Sequence, residues 1–273
     1  MGGLDTEDGL DGAVAAEAAP PSPPPPDPMD PRRFGAMHAI LAFLLVLFAQ
    51  FAAGTVVVLV YVIAAVAGGA DPGDSQAMQA RLERGMIPLI IASSVATIVV
   101  TLVLVRAWAW HLVRDRSSAG LGLFAPPRRT VVLWAVLGAV LGVIFVFAAQ
   151  YVQTDFRGGG PLAKVASSGG PGRVLWAVLA VFIAPPVEEL LFRGLMLRGL
   201  IASWGVTAAG TIVTILFFVL HLFEAIGYWP GMIAILVLSI VTLLARLRTG
   251  SVVASTAVHA AYNATLAVAV YAT

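Results

Sequence analysis

Five ionisable residues stand inside three long apolar segments of this 273-residue chain. They are Glu188, Glu189 and Arg193 in AVLAVFIAPPVEELLFRGLML, His221 in TIVTILFFVLHLF, and His259 in SVVASTAVHAAYNATLAVAV. A charged side chain at the centre of a bilayer costs roughly 2.5–3.5 kcal/mol even on lenient insertion scales, so such residues are rare and usually functional. Carboxylates and imidazoles are also the usual proton acceptors and donors of catalysis. Their grouping predicts an active site at membrane depth.

Glu188, Glu189 and Arg193 form an acid–base motif with helical spacing. Residues four apart share a helix face, so Glu189 and Arg193 can form an ion pair in the favourable order, acid before base. Glu188 lies about 100° around the helix and has no partner at this spacing. The simplest assignment makes Glu189 and Arg193 a structural pair and leaves Glu188 as a general base. The alternative is a purely structural ion pair in a kinked helix.

Pro185 and Pro186 stand just before the two acids. Because proline lacks a backbone N–H, we expect the pair to break or kink the helix at this point. Irregular backbone at membrane depth occurs where it is buried in protein or lines a watery cavity. The two prolines therefore predict such a cavity beside Glu188.

The histidines lie in the next apolar segments. Counted from the turn near residue 203, His221 lies about as far along its segment as Glu188 lies along the preceding one, so adjacent antiparallel helices bring the two to similar depth. His259 and Asn263 are four apart and share a face; both can donate hydrogen bonds to the oxyanion that develops on a peptide carbonyl. The alternative is a set of polar residues that hydrogen-bond neighbouring helices.

The composition indicates a membrane protein. The chain is 59% hydrophobic and 11% charged, where a soluble domain has about 25% charged residues. Its net charge of +1 argues against a nucleic-acid partner, and the absence of cysteine excludes disulfides and thiolate chemistry. Several apolar stretches exceed the roughly 18 residues that cross a bilayer.

The sequence predicts an all-α, polytopic transmembrane bundle of about seven spans behind an N-terminal tail. Residues 1–33 are acidic and proline-rich and should be disordered. Residues 34–155 hold the first three helices, and residues 170–273 hold the catalytic core. The predicted spans are 36–68, 86–109, 130–152, 174–201, 204–225, 230–246 and 250–272. Two arginines precede span one and five crowd the loop between spans two and three, which predicts a cytoplasmic N-terminus. Only one of the 16 basic residues, Lys164, is a lysine, and this bias favours a bacterial source and hence a bacterial plasma membrane.

Three ordered motifs, EELLFR, the pairing of Phe217 with His221, and HAAYN, match the patterns EExxxR, FxxxH and HxxxN/D. Together they resemble the CPBP intramembrane protease family, also called the CAAX-protease and bacteriocin-processing or Abi family. The resemblance covers about residues 170–270. It implies peptide-bond hydrolysis in which Glu188 and His221 activate water, while His259 and Asn263 stabilise the oxyanion. The implied substrate is a membrane protein or a lipidated peptide.

A metal ion is the main alternative to a metal-free mechanism. Glu188, His221 and His259 form a two-histidine, one-carboxylate set that can hold zinc with open positions. The chain lacks HExxH, in which a separate glutamate acts as base. If Glu188 bound the metal, Glu189 would have to be the base, although its spacing pairs it with Arg193. We therefore favour no cofactor, with zinc on the three residues as the alternative.

Two non-proteolytic functions remain open from the residues. Buried glutamate and histidine also build proton relays, which would suit a proton-coupled carrier, although the chain shows no internal repeat of the kind expected in many transporters. A membrane immunity or scaffold protein would use the same residues only for structure. The natural substrate and the oligomeric state are not encoded in these patterns.

Overall fold

The computed structural model describes residues 34–69, 74, 76, 86–114, 120–151, 171–225 and 228–272. Every regular element in these ranges is a helix, and no strand occurs in them, which confirms the all-α prediction. Residues 34–273 form one compact unit. The expectation of a disordered tail concerns residues 1–33 and falls outside the described ranges.

The helices follow the predicted apolar segments closely. Their bounds are α1 Ala36–Ala67, α2 Met86–Trp108, α3 Arg128–Tyr151, α4 Pro171–Val178, α5 Ala184–Glu189, α6 Leu197–Ala225, α7 Trp229–Thr249 and α8 Val252–Ala272. Two π-helical segments lie on either side of α5: the first spans Leu179–Ile183 and the second Leu190–Met196. A short 3₁₀ turn at Trp110–Leu112 follows α2.

The described residues contain six helical stretches long and apolar enough to cross a membrane. One of them, Val174–Leu222, has 49 residues and would be about 74 Å long if straight, more than twice the apolar thickness of a bilayer. It is not straight, because Gly205 has φ 77° and ψ 172°, a conformation reserved for glycine. Glu188 and His221 lie on opposite sides of this glycine yet are in contact, so the chain folds back there. The stretch therefore makes two spans, in agreement with about seven.

The two prolines change the helical register where we expected them to break or kink the helix. The chain stays helical from α4 into α6, but it widens to π geometry before Pro185 and again after Glu189. Pro185 and Pro186 occupy the first turn of α5, so they remove no hydrogen bond within α5 itself. Single π turns inside α-helices are frequent at functional sites, and here they bracket both acids.

The last helix, α8, is the central element around which the site forms. It packs against α3 and α7 and also contacts α5 and both π segments. Two glycines of α3, Gly138 and Gly142, allow the close approach: a Cβ on Gly138 would collide with the Val258 carbonyl, and one on Gly142 would come 2.7 Å from Thr265 Cβ. This small-residue spacing of four is the usual device for tight helix packing in membranes. The face of α8 next to His259 is thus set by α3.

Gly138→Ala should push α3 away from α8, because the added methyl meets backbone that cannot rotate aside. Overpacking of this kind costs about 1–3 kcal/mol, so we expect a lower melting temperature in detergent. Gly54→Ala is the matched control, since its Cβ would meet only the end of the Leu89 side chain, at 3.2 Å. Equal melting temperatures for the two variants would contradict the packing described.

Candidate active site

The Glu188 carboxylate lies between two imidazole rings. Its Oε2 is 3.5 Å from His221 Nε2 and 3.8 Å from His259 Nε2. The three side chains come from α5, α6 and α8, and the fold-back at Gly205 is what brings His221 of α6 beside Glu188 of α5. The Glu188 side chain remains 21% exposed and that of His221 15% exposed, so neither is sealed inside the bundle. The sequence-predicted residues Glu188, His221 and His259 are therefore brought together.

The orientation of His221 is set by its own helix. Its Nδ1 lies 2.8 Å from the carbonyl oxygen of Phe217, one turn earlier. A carbonyl can only accept, so Nδ1 carries the proton and donates it, which leaves Nε2 of the neutral ring as an acceptor facing Glu188. The ring also stacks on Phe217, with centroids 4.3 Å apart. The FxxxH spacing thus provides both a hydrogen-bond acceptor and a packing surface for the histidine.

The orientation of His259 is set by Glu189, a contact that spacing on one helix did not reveal. His259 Nδ1 lies 3.1 Å from Glu189 Oε1, and both side chains are buried. The carboxylate accepts the Nδ1 proton and turns Nε2 toward Glu188. Glu189 therefore has two partners and does more than pair with Arg193. A carboxylate that holds a histidine in one tautomer is a recurring feature of active sites.

Glu189 and Arg193 form the buried ion pair that their spacing predicts. Glu189 Oε2 is 3.3 Å from Arg193 Nε, and neither side chain is exposed. The contact is electrostatic, because neither atom has a hydrogen-bond partner within the described residues. Arg193 Nη2 donates to Ser239 O at 3.0 Å, to Ser239 Oγ at 3.1 Å and to Thr242 Oγ1 at 2.6 Å. The guanidinium also lies over the Phe217 ring, 4.3 Å from its centroid.

Ser239 and Thr242 are site-supporting residues that the sequence reasoning missed. They stand three apart in the apolar helix α7, so they share a face, and both are buried. That spacing within LVLSIVTLL is the signal from which a polar partner for a buried cation can be read. Their oxygens allow Arg193 to stay charged inside the bundle.

Asn263 lies one turn beyond His259 on α8, but its hydrogen bond goes to backbone. Its Nδ2 donates to Ala180 O in the first π segment at 2.8 Å. In an α-helix that carbonyl would receive the Ala184 N–H, which here bonds Leu179 O instead. In a π-helix the donor to Ala180 O would be the N–H of residue 185, but that residue is proline and has no N–H. Asn263 supplies the missing donor, and its second amide hydrogen is the one left for a substrate.

Arg246 donates a hydrogen bond to a backbone carbonyl of the second π segment, as Asn263 does at the first. The Leu197 N–H bonds Phe192 O, so the carbonyl of Arg193 loses its α-helical donor. Arg246 Nε donates to Arg193 O at 3.1 Å, and Nη2 donates to Gly120 O at 3.0 Å. Arg246 thereby ties the helix of the acids to the loop before α3. The sequence motifs predict no role in the site for this arginine.

The donor types around Glu188 suit a divalent metal, and each histidine has its other nitrogen hydrogen-bonded, as metal ligands usually do. Yet no group of three or more His, Asp or Glu side chains with the geometry to hold a metal ion is found within the described ranges. The sequence-based preference for no cofactor, with zinc on Glu188, His221 and His259 as the alternative, therefore stays a prediction.

The comparisons with known proteins agree with the motifs. Residues 170–265, which are 96 of the 273 residues, match the family model described as Rce1-like, type II CAAX prenyl endopeptidase. The matched segment runs from just before α4 into α8 and includes the acids, both histidines and Asn263. No curated protein and no solved structure matches the chain.

Arg193→Ala should destabilise the protein strongly. The change leaves the buried Glu189 carboxylate without its cation, and breaking a buried pair in this way costs about 3–5 kcal/mol. We expect a large fall in melting temperature or loss of the folded protein from detergent extracts. Arg248→Ala, at an exposed position of the same charge, is the control and should melt like the wild type. Equal melting of both variants would show that the pair does not hold the helices together.

Proposed function

We propose that this integral membrane protein is an intramembrane endopeptidase with Glu188 and His221 as its water-activating pair. Its residues 170–265 match the Rce1-like family of type II CAAX prenyl endopeptidases. The observation that carries the proposal is the convergence of His221 Nε2 and His259 Nε2 on one oxygen of Glu188. One carboxylate between two imidazoles, reachable from outside, can receive a proton from water and return it to a leaving group.

The first step is the attack of water on the scissile carbonyl. The water donates one hydrogen to Glu188 Oε2 and the other to His221 Nε2, which is an acceptor because Nδ1 donates to Phe217 O. Glu188 takes the proton as the new C–O bond forms, and the carbonyl oxygen becomes an oxyanion. That proton then passes to the amide nitrogen and the C–N bond breaks, which gives an amine and a carboxylic acid. The second proton of the water, still on the acid, passes to the amine, so that a carboxylate and an ammonium group leave.

The oxyanion faces the α8 side of the site. His259 donates from Nε2 when both ring nitrogens carry protons, and Glu189 at Nδ1 then balances the charge of that imidazolium. With Glu188 and Arg193, this gives two negative and two positive groups in one buried cluster. Asn263 contributes its second amide hydrogen. Donors held in place before the reaction lower the barrier because they need no reorganisation.

The substrate is a membrane-associated protein or a lipidated peptide, because the site lies within apolar helices. The family description names prenylated CAAX proteins, and a prenylated CAAX peptide is therefore the first probe. The arginine distribution favours a cytoplasmic N-terminus, and the near absence of lysine favours a bacterial plasma membrane. No observation on the described residues favours the carrier or the scaffold function over hydrolysis.

Glu188→Gln should abolish peptide cleavage while the protein still assembles. Loss of a general base costs about 10²–10⁴ in rate, and the amide keeps the shape of the side chain. Cleavage of a prenylated CAAX peptide in proteoliposomes, and membrane proteomics of cells with each form, measure the effect. Asp74→Asn, at an exposed carboxylate, is the control. Full activity of Glu188→Gln would overturn the proposal, and Glu188-dependent uptake without proteolysis would support a carrier.

Cleavage should survive removal of divalent metals. Protein purified without metal and incubated with a strong chelator is expected to keep its initial rate within about twofold, since the proton acceptor is Glu188 itself. Loss of activity on chelation, with recovery on adding zinc, would overturn the metal-free mechanism. It would assign Glu188, His221 and His259 as ligands.

A further inference from the structure

The first π segment contains two backbone carbonyls for which the helix has no donor. In α register, the N–H groups for Val181 O and Phe182 O would come from residues 185 and 186, and both are proline. In π register, the donor for Val181 O would be residue 186, again proline. The π-register donor for Phe182 O would be the N–H of Val187. Val187 lies inside α5, however, where the α register directs its N–H to Ile183 O.

Neighbouring groups do not fill this gap. The Ala184 N–H is committed to Leu179 O, and Asn263 satisfies the carbonyl of Ala180, the residue before the pair. None of the side-chain hydrogen bonds given above for the described ranges ends on Val181 O or Phe182 O, and the one from α8 goes to Ala180 O. A carbonyl without a partner at membrane depth is costly, so a donor must come from water or from a bound molecule.

The location of Phe182 O suits a peptide that enters from the bilayer. Val181 is buried, whereas Phe182 is 72% exposed, so of the two residues Phe182 lies at the edge of the bundle. Asn263, which bonds the adjacent Ala180, is one turn from His259. Phe182 precedes Glu188 by six residues, which is about 9 Å along a helix and about three residues of an extended chain.

We propose that Phe182 O accepts a hydrogen bond from a backbone N–H group of an extended peptide substrate, which aligns its scissile bond with Glu188. This inference rests on the proposed endopeptidase function and adds the way in which the substrate is held. Main-chain pairing with an open edge is a common mode of peptide recognition. It also opposes helix formation in the substrate, whose own N–H group is then used by the enzyme.

The test is a series of prenylated CAAX peptides in which one backbone amide at a time, away from the scissile bond, is replaced by an ester. An ester removes the donor without adding bulk. For the wild type we expect one position, about three residues from the scissile bond, to lower kcat/KM by about tenfold, mainly through KM. A series in which every ester costs less than twofold would overturn the inference, because the carbonyl would then be satisfied by water.

The double variant Pro185→Ala/Pro186→Ala restores the missing N–H groups to the helix. We expect it to raise KM for the all-amide peptide and to shrink the ester penalty to less than twofold. Pro230→Ala is the matched control, since this proline stands in the first turn of α7 just after Tyr228, whose backbone is not helical, so no helix runs through it. An undiminished ester penalty in the double variant would overturn the inference.

The ester series is also measured as peptide binding to Glu188→Gln, which does not depend on cleavage. An ester at the same position should weaken binding by a similar factor, and a flat binding series would overturn the inference. If the wild type cleaves no peptide but an ester still weakens binding at the expected position, the proposed hydrolysis fails and the inferred hydrogen bond to the substrate backbone stands.

Discussion

The buried charge of Arg193 is the constraint on which the rest of the site depends. A guanidinium within a membrane bundle is stable only if acids and hydrogen-bond acceptors surround it. Here α7 supplies Ser239 and Thr242, α6 supplies the face of Phe217, and α5 supplies Glu189. One cation therefore gathers three helices. Glu189 then holds the ring of His259, so the same charge also positions a residue of the active site.

The two changes from α to π register determine which backbone carbonyls need a donor from another helix. Each π segment leaves a carbonyl without its α-helical donor, and a side chain of another helix supplies one: Asn263 for Ala180 and Arg246 for Arg193. These bonds couple α8 and α7 to the helix that carries the acids. An irregular backbone at membrane depth is thus stabilised by specific partners, as the low polarity of the surroundings requires.

The proximity of Glu188 and His221 followed from counting residues on two antiparallel spans, and it needed only regular helix geometry. The pairing of Glu189 with Arg193 needed only the four-residue spacing. The contact between His259 and Glu189 could not be read in this way, because helices α5 and α8 meet at an angle and depth set by packing. Gly138 and Gly142 on α3 permit that packing, but which helix they face is not written in their spacing.

By itself, the sequence determined the all-helical membrane bundle, the bounds of its spans and the residue types of the site. Apolar length, proline, and the spacing of Glu188, His221 and His259 are local properties, so they can be read along the chain. Tertiary structure decided which nitrogen of each histidine faces Glu188, how Pro185 and Pro186 are accommodated, and what Asn263 and Arg246 bind. The reason is that helical register and side-chain partners depend on donors and acceptors of other helices, which are brought together only when the bundle packs.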